Sequence, residues 1–424
     1  IARVPLYSRL VAPWLRRVLG PLLPVERFTS GDRRIVFIIW VAGVIQGFAQ
    51  SQAAATLPFT RAGLGLTEGE MSLLLGIARL AAFAALPLGW LGDHKGRRRP
   101  FLWSLTLVIV GGTLAGLAFE AWQFGTAQAI LRTGTAGMGG LAIVLLAEQV
   151  SPHIRAYAIS FYGAAVSFGG GLALMTLPLA DGGGESWRIP HLMIALALLV
   201  LPFLIRNVPE SHIFLEDHED RHWRELATGE WARRFWVVVI IAFLVSAFSA
   251  VALAFSTTRM IEHLGLSTGS TVLIALLGGT LGGLGFFVGG HLADAWGRRR
   301  TTVVSLLLAV GGGLVIYWSN SIPLIVAAVM VSSFGTFAFV PAGGSHRAEL
   351  FPTGLRASAN TAATNLGLVG SGFGLILGIF TIDRFGLSQT VTILGLGMLI
   401  AAFLTLLLPE TRGQDLRAIR AARL

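Results

Sequence analysis

Residues Gly89–Pro100 read GWLGDHKGRRRP, and residues Gly289–Thr301 read GGHLADAWGRRRT. Aligned, Gly89, Leu91, Asp93, Gly96, Arg97 and Arg98 recur as Gly290, Leu292, Asp294, Gly297, Arg298 and Arg299, each at a shift of 201 positions. The shift holds further along, where Glu148 and Arg155 return as Glu349 and Arg356. Pro209 and Glu210 return as Pro409 and Glu410 at a shift of 200. So many coincidences at one spacing identify an internal repeat, with each half of the chain folding as one copy of a common unit. Within each motif, glycine permits a tight turn. Asp93 and Asp294 are suited to cap a helix N-terminus or to pair with an arginine one helical turn on.

The flanking sequence defines the solvent. The chain has 424 residues, of which 54% are hydrophobic and 13% charged, and its mean hydropathy is +0.72. That balance excludes an ordinary water-soluble domain. The net charge of +10 does not indicate nucleic-acid binding, because the basic residues lie between apolar runs and form no basic face on a soluble domain. With no cysteine, disulfides and thiolate metal sites are excluded. No cleavable signal peptide is apparent in residues 1–30. Leu6, Leu10 and Trp14 stand there at helical spacing beside Arg9, Arg16 and Arg17, which fits either a basic amphipathic surface helix or a poorly ordered tail.

A hydrocarbon core about 30 Å thick needs roughly 20 apolar residues per helix. Twelve such segments are expected, at 34–54, 69–92, 100–120, 123–147, 156–179, 190–206, 234–257, 270–292, 301–319, 322–346, 356–382 and 386–408. Strands are excluded because an open sheet leaves backbone groups unpaired in lipid. The expected class is an all-α membrane protein, twelve transmembrane helices in two pseudo-symmetric six-helix bundles. Its units are an N-terminal segment 1–30, a first bundle 31–206, a linker 207–233, a second bundle 234–408 and a tail 409–424. Of 32 basic residues, 26 fall on the side of the termini and motif loops, and four (Arg61, Arg188, Arg259, Arg384) on the other. The positive-inside rule then places both termini in the cytoplasm, with a bacterial inner membrane as the expected location.

The pattern G-x-L-x-D-x-x-G-R-R between segments two and three resembles the loop signature of the major facilitator superfamily, and the likeness covers essentially the whole chain. SWRIPHL at Ser186–Leu192, VPESHIFLE at Val208–Glu216, AELFPTGLRAS at Ala348–Ser358 and LPETRG at Leu408–Gly413 look like the branch of sugar porters and metabolite-proton symporters. The resemblance implies an alternating-access carrier whose cytoplasmic acids and arginines hold one state closed. It groups Asp93, Arg97, Glu148 and Arg155 in one network, and Asp294, Arg298, Glu349 and Arg356 in the other. The plainer alternative is that these charges only anchor and solvate the loops.

Two acids usual in that branch are missing. Segment one reads VIQGFAQSQ at Val44–Gln52, with Gln46 and Gln50 where an aspartate is expected, and segment four reads GMGGLAI at Gly137–Ile143, with Leu141 in place of a glutamate. All 22 acids and nine histidines fall in loops or at segment ends, so coupling through a central carboxylate is not expected and uniport or exchange is favoured. Two arginines, Arg79 and Arg132, lie within segments. An arginine near the bilayer centre costs about 2.5–3.5 kcal/mol or more unless it faces water or a partner. Paired cations at mid-depth suit a carboxylate on the solute, although a helix-four arginine can also bond neighbouring carbonyls.

Further candidate ligand contacts are Gln46, Gln50, Gln128 and Asn365, whose amides are costly to bury unpaired, with Phe243, Phe334 and Phe337 as apolar lining. Packing explains those aromatics equally well. The expected function is a secondary active or facilitative transporter of a small organic anion, working as a monomer. No enzyme activity, cofactor, metal or nucleic acid is expected. A proton-coupled metabolite or sugar symporter, a drug exporter and a non-transporting receptor on the same fold remain the alternatives.

Overall fold

The computed structural model describes residues 23–66, 68–180, 184–216, 224–256 and 259–414. The surface-helix reading of the N-terminal segment, part of the linker (217–223) and most of the tail (415–424) lie outside them.

Among the described residues the long helical tracts number twelve, with shorter helical turns between some of them. In the first half they are α1 (Ser30–Ala55), α2 (Glu68–Leu80, a 3-10 turn at Ala81–Ala85, then Leu86–Lys95), α3 (Arg98–Leu117), α4 (Ala121–Gln149), α5 (Arg155–Met175) and α6 (Arg188–Leu192, a 3-10 turn at Met193–Leu196, then Ala197–Asn207). In the second half they are α7 (Ala232–Ala254), α8 (Thr268–Gly282 and Leu284–Trp296), α9 (Arg298–Trp318), α10 (Ile322–Glu349), α11 (Thr353–Phe385) and α12 (Leu387–Leu406). Nine are long and apolar enough to cross a bilayer by length and composition alone. α2, α5 and α11 carry much of the contact with the opposite half.

Sequence sets where the tracts begin and end. Thr29 opens α1 with a capping box, its hydroxyl accepting from the Asp32 amide while the Asp32 carboxylate accepts from the Thr29 amide. Gly96 (φ 89°) and Gly297 (φ 124°) stop α2 and α8 in the left-handed region, which costs glycine nothing. A Cβ at either position would also lie within 3 Å of a carboxylate oxygen, that of Glu210 or Glu410.

Within the first half, α1 packs on α5 and α3 on α4; within the second, α7 packs on α11 and α9 on α10. Large apolar side chains face outward, among them Leu199 (80% exposed), Phe119 (78%) and Leu253 (78%). Lipid is the solvent that such a surface requires, and the protein is an integral membrane protein. Contact between halves gathers at the end bearing the motif loops. There the last part of α2 and the inner part of α4 lie against α11, and the last part of α8 lies against α5. The first part of α8 packs instead on α10 of its own half. The halves are therefore joined at the motif end and part toward the far end.

Candidate functional site

The motif end holds two buried ion-pair clusters. In the first, Arg97 Nε lies 3.1 Å from Glu148 and its Nη2 3.6 Å from Asp93. Glu148 also pairs with Arg356 from α11. In the second, Arg298 lies 3.1 Å from Glu349 and 2.9 Å from Asp294, and Arg155 from α5 approaches Glu349 to 2.7 Å. The grouping expected from the sequence is thus corrected at two positions. Arg155 belongs with Asp294, Arg298 and Glu349, and Arg356 belongs with Asp93, Arg97 and Glu148. The reason is geometric: α5 and α11 start at the interface, so their first-turn arginines reach the facing half.

The aspartates cross over in the same way. Asp93 accepts from the amides of Ala357 (2.9 Å) and Ser358 (2.7 Å) in the opening turns of α11. Asp294 accepts from those of Ala156 (3.2 Å) and Tyr157 (2.9 Å) at the start of α5. Each half's motif acid therefore caps a helix of the other, where the positive end of the helix dipole favours it. Arg97 donates to the carbonyls of Gly92 (2.8 Å) and Thr353, and Arg298 donates to those of Ala293 (3.0 Å) and Pro152 (2.6 Å). Every acid and arginine is nearly fully buried, with side-chain exposure of 0–2%. Removing one member strands a charge in low dielectric, a loss of about 3–5 kcal/mol.

Sequence reasoning recorded the Pro-Glu recurrence but assigned it no role. Glu210 accepts from the amides of Arg97 (2.7 Å) and Arg98 (3.2 Å), and Glu410 from those of Arg298 (2.8 Å) and Arg299 (3.2 Å). These glutamates cap α3 and α9 from the segments that follow α6 and α12. Their neighbours Ser211 and Thr411 bring hydroxyls to Glu148 and Glu349.

The mid-depth candidates separate by how well they are satisfied. Gln46 is fully engaged: its Nε2 donates to the Thr135 carbonyl (3.1 Å) and its Oε1 accepts from Tyr162. It ties α1, α4 and α5 together, and Tyr162 was missed because a tyrosine in an apolar run reads as packing. Gln50 is half-buried with no hydrogen-bond partner among the described residues. Gln128 is 1% exposed with its Nε2 unpaired, and Asn365, also 1% exposed, has neither amide atom paired. Phe337 stacks on Phe286 at 4.7 Å and Phe243 lies 5.4 Å from Phe373. Phe334 is half-buried on α10.

Arg132 sits eleven residues into α4, about 16 Å along the helix, and is half-buried. Among the described residues no acid or carbonyl bonds its guanidinium. Arg79 is exposed in the last turn before the 3-10 segment of α2, close enough for its charge to act on Arg132. Among the described residues no acid pairs with either arginine. A second polar group was not anticipated: Gln52 donates to Thr176 (3.4 Å), and Thr56 bonds Thr60 and His191 (both 3.1 Å). Its residues scatter over α1 and the short helix Leu57–Gly63 after it, the turn that follows α5, and α6, which hid the cluster.

Two repeated bundles joined at one end by crossed buried salt bridges form one architecture. A family model described as Major Facilitator Superfamily matches residues 39–318 and 279–423. The chain belongs to the major facilitator superfamily. Within this superfamily it is 24% identical over 380 residues to the sialic acid transporter NanX of Escherichia coli, covering 85% of this chain and 90% of that one. Solved superfamily structures share the fold. The proton:xylose symporter XylE superposes with a TM-score of 0.75 at 20% identity, over 92% of this chain and 99% of that one. The human organic anion transporter MFSD10 superposes with a TM-score of 0.75 at 18% identity, over 89% and 100%. The protein is a membrane transporter of a small solute and not an enzyme.

Proposed function

We propose that this transporter carries a small organic anion by alternating access, as a uniporter or exchanger, with Arg132 and Arg79 as the anion-binding pair. The observation that carries this reading is the half-buried guanidinium of Arg132, which has no protein counter-ion among the described residues. Such a charge at mid-depth is tolerable when it faces water or a ligand that neutralises it. A carboxylate meets a guanidinium through two parallel hydrogen bonds. The names of NanX, a sialic acid transporter, and MFSD10, an organic anion transporter, agree with an acidic solute. Gln50, Gln128 and Asn365 would complete the pocket, with Phe243, Phe334 and Phe337 on its second-half wall. Gln46 acts as a strut beneath it.

The two ion-pair clusters form the gate. With both clusters closed, the motif end is shut and the far end is open. The basic bias toward the motif end places that end in the cytoplasm, so this is the outward-open state. The transporter acts as a monomer in a bacterial inner membrane, with residues 31–206 and 234–408 as its rocking bodies and 207–233 as the linker between them. Turning inward breaks both clusters at once, and solute binding across the halves supplies the compensating contacts.

The test is uptake of labelled organic acids into proteoliposomes, with and without imposed pH and electrical gradients. Counterflow that is lost in Arg132→Gln and is indifferent to the pH gradient is the expected result. Accumulation driven by the pH gradient would overturn the uncoupled mode, and full counterflow in Arg132→Gln and Arg79→Gln would overturn the anion site.

A further inference from the structure

A cavity of about 240 Å³, partly open to its surroundings, is lined by the second bundle alone, by α7, α9, α10, α11 and α12, with neither Arg79 nor Arg132 among its walls. Arg347 and His346 stand at its motif end, and Ser246, Phe339 and Leu368 among its walls. Among the described residues Arg347 has no hydrogen-bond or ion-pair partner, and its Nε is sealed from solvent. Arg347 falls one residue past the expected span 322–346, but α10 runs on to Glu349 and draws it into the bundle.

The internal repeat explains why the space exists. At the shift of 201 positions, the first half has Phe101, Ala142 and Tyr162 where this cavity has Thr302, Gly343 and Ala363. Phe101 and Tyr162 are buried, at 0% and 6% exposure. Two aromatic rings and a methyl group are thus absent from the second bundle. The counterparts of His346 and Arg347 are Leu145 and Leu146, which pack in the core of the first half. One duplicated scaffold carries an apolar plug in one copy and a chamber with a cation in the other.

The chemistry of the walls selects the occupant. Thr302, Thr364 and Thr405 donate their hydroxyls to the carbonyls of Arg298 (2.8 Å), Asn360 (2.9 Å) and Ala401 (2.9 Å) one turn back. His346 Nε2 is engaged with the Pro409 carbonyl at 2.9 Å. The guanidinium is therefore the dominant free donor in a lining of Val238, Ile241, Val245 and Leu408. A neutral polyol would leave that charge uncompensated, and water alone would leave the apolar length poorly solvated. From Phe339 to Leu350 the chamber follows eleven residues of α10, about 16 Å. Spread over that length, its volume of about 240 Å³ gives a narrow cross-section. It is slender, and short.

We propose that this chamber is a second anion site, distinct from the transport site, that binds a short unbranched carboxylate with its head on Arg347 and its chain along α7 and α11. Because Glu349 lies two residues from Arg347 and Thr302 one turn beyond Arg298, an occupant braces the second ion-pair cluster and favours the closed motif end. The same head chemistry could come from a free acid or from an acidic lipid headgroup with its chain inserted.

The experiment uses full-length protein carrying Arg79→Gln and Arg132→Gln, which removes both transport-site cations, in phosphatidylcholine nanodiscs. Hexanoate is titrated calorimetrically against empty discs. One saturable site is expected, weakened at least tenfold by Arg347→Gln and by the chamber-filling Ala242→Leu, with affinity falling from hexanoate to acetate. Thermal unfolding of each variant confirms that it is folded, and Ala242→Leu keeps the arginine in place should Arg347→Gln prove unstable. Repeating the titration in discs with phosphatidylglycerol separates the sources: weaker apparent affinity assigns a competing headgroup, and unchanged affinity assigns the free acid. Absence of saturable binding, or binding that survives both substitutions, would overturn the site. Equal affinity for chloride and hexanoate would overturn the slender carboxylate as its ligand.

Discussion

At the motif end the two halves of the molecule are near replicas, and at mid-depth they are not. Arg97 meets Glu148 at 3.1 Å, and Arg298 meets Glu349 at 3.1 Å. Asp93 and Asp294 each accept from two amides of the opposite half. Deeper in, Gln46, Gln128, Arg132 and Tyr162 of the first half correspond by position to Ala247, Val329, Ser333 and Ala363 of the second. Duplication has been retained at the buried ion-pair clusters and abandoned at these mid-depth positions. Polarity accumulated in the first half, while free volume and the isolated Arg347 accumulated in the second.

The strongest test of that equivalence is to remove one acid at a time. Glu148→Gln and Glu349→Gln should each lower unfolding free energy by about 3–5 kcal/mol, since each leaves two buried guanidiniums without their shared acid. Thermal melts in a mild detergent read this out, and a difference between the two variants larger than about 1.5 kcal/mol would break the symmetry. At mid-depth the contrast should appear in transport. Arg132→Gln is expected to reduce counterflow tenfold or more, about 1.4 kcal/mol or above, without lowering the melting temperature, whereas Ser333→Ala at the matching position should change it less than twofold.

Smaller effects sharpen the same picture. Tyr162→Phe should cost about 1–3 kcal/mol because the Gln46 carbonyl then sits buried without a donor, while Ala363→Ser at the matching position should be nearly neutral. Glu210→Gln and Glu410→Gln should each cost about 0.5–2 kcal/mol through the weakened caps of α3 and α9. Equal losses would confirm that the linker and the tail support their halves alike.

Much of the fold was legible because two copies of one glycine-aspartate-arginine motif, their spacing and the apolar runs between them state it redundantly. The expected spans mark the observed tracts, with ends off by a few residues where capping decides, as at Gly96 and Gly297. The eight clustered charges were legible as residues but not as partners. A fixed shift reveals which positions correspond, and says nothing of which half a first-turn arginine faces, so Arg155 and Arg356 were assigned to the wrong sets. Arg132 stood out because a charge in an apolar run is rare. Tyr162 and Arg347 did not, since a tyrosine resembles core packing and an arginine near a helix end resembles a loop anchor. The volumes missing opposite Phe101 and Tyr162 become visible only when the two copies are compared.

The exchange of Arg155 and Arg356 between the halves has a consequence for biogenesis. A chain emerging from the ribosome amino-terminus first inserts Glu148 and Asp93 well before residues 356–358 exist. Until then Asp93 lacks the two amides it caps, and Arg155 lacks Glu349. The nascent first half is an unfinished lock, its motif-end charges short of their partners until translation has passed residue 358.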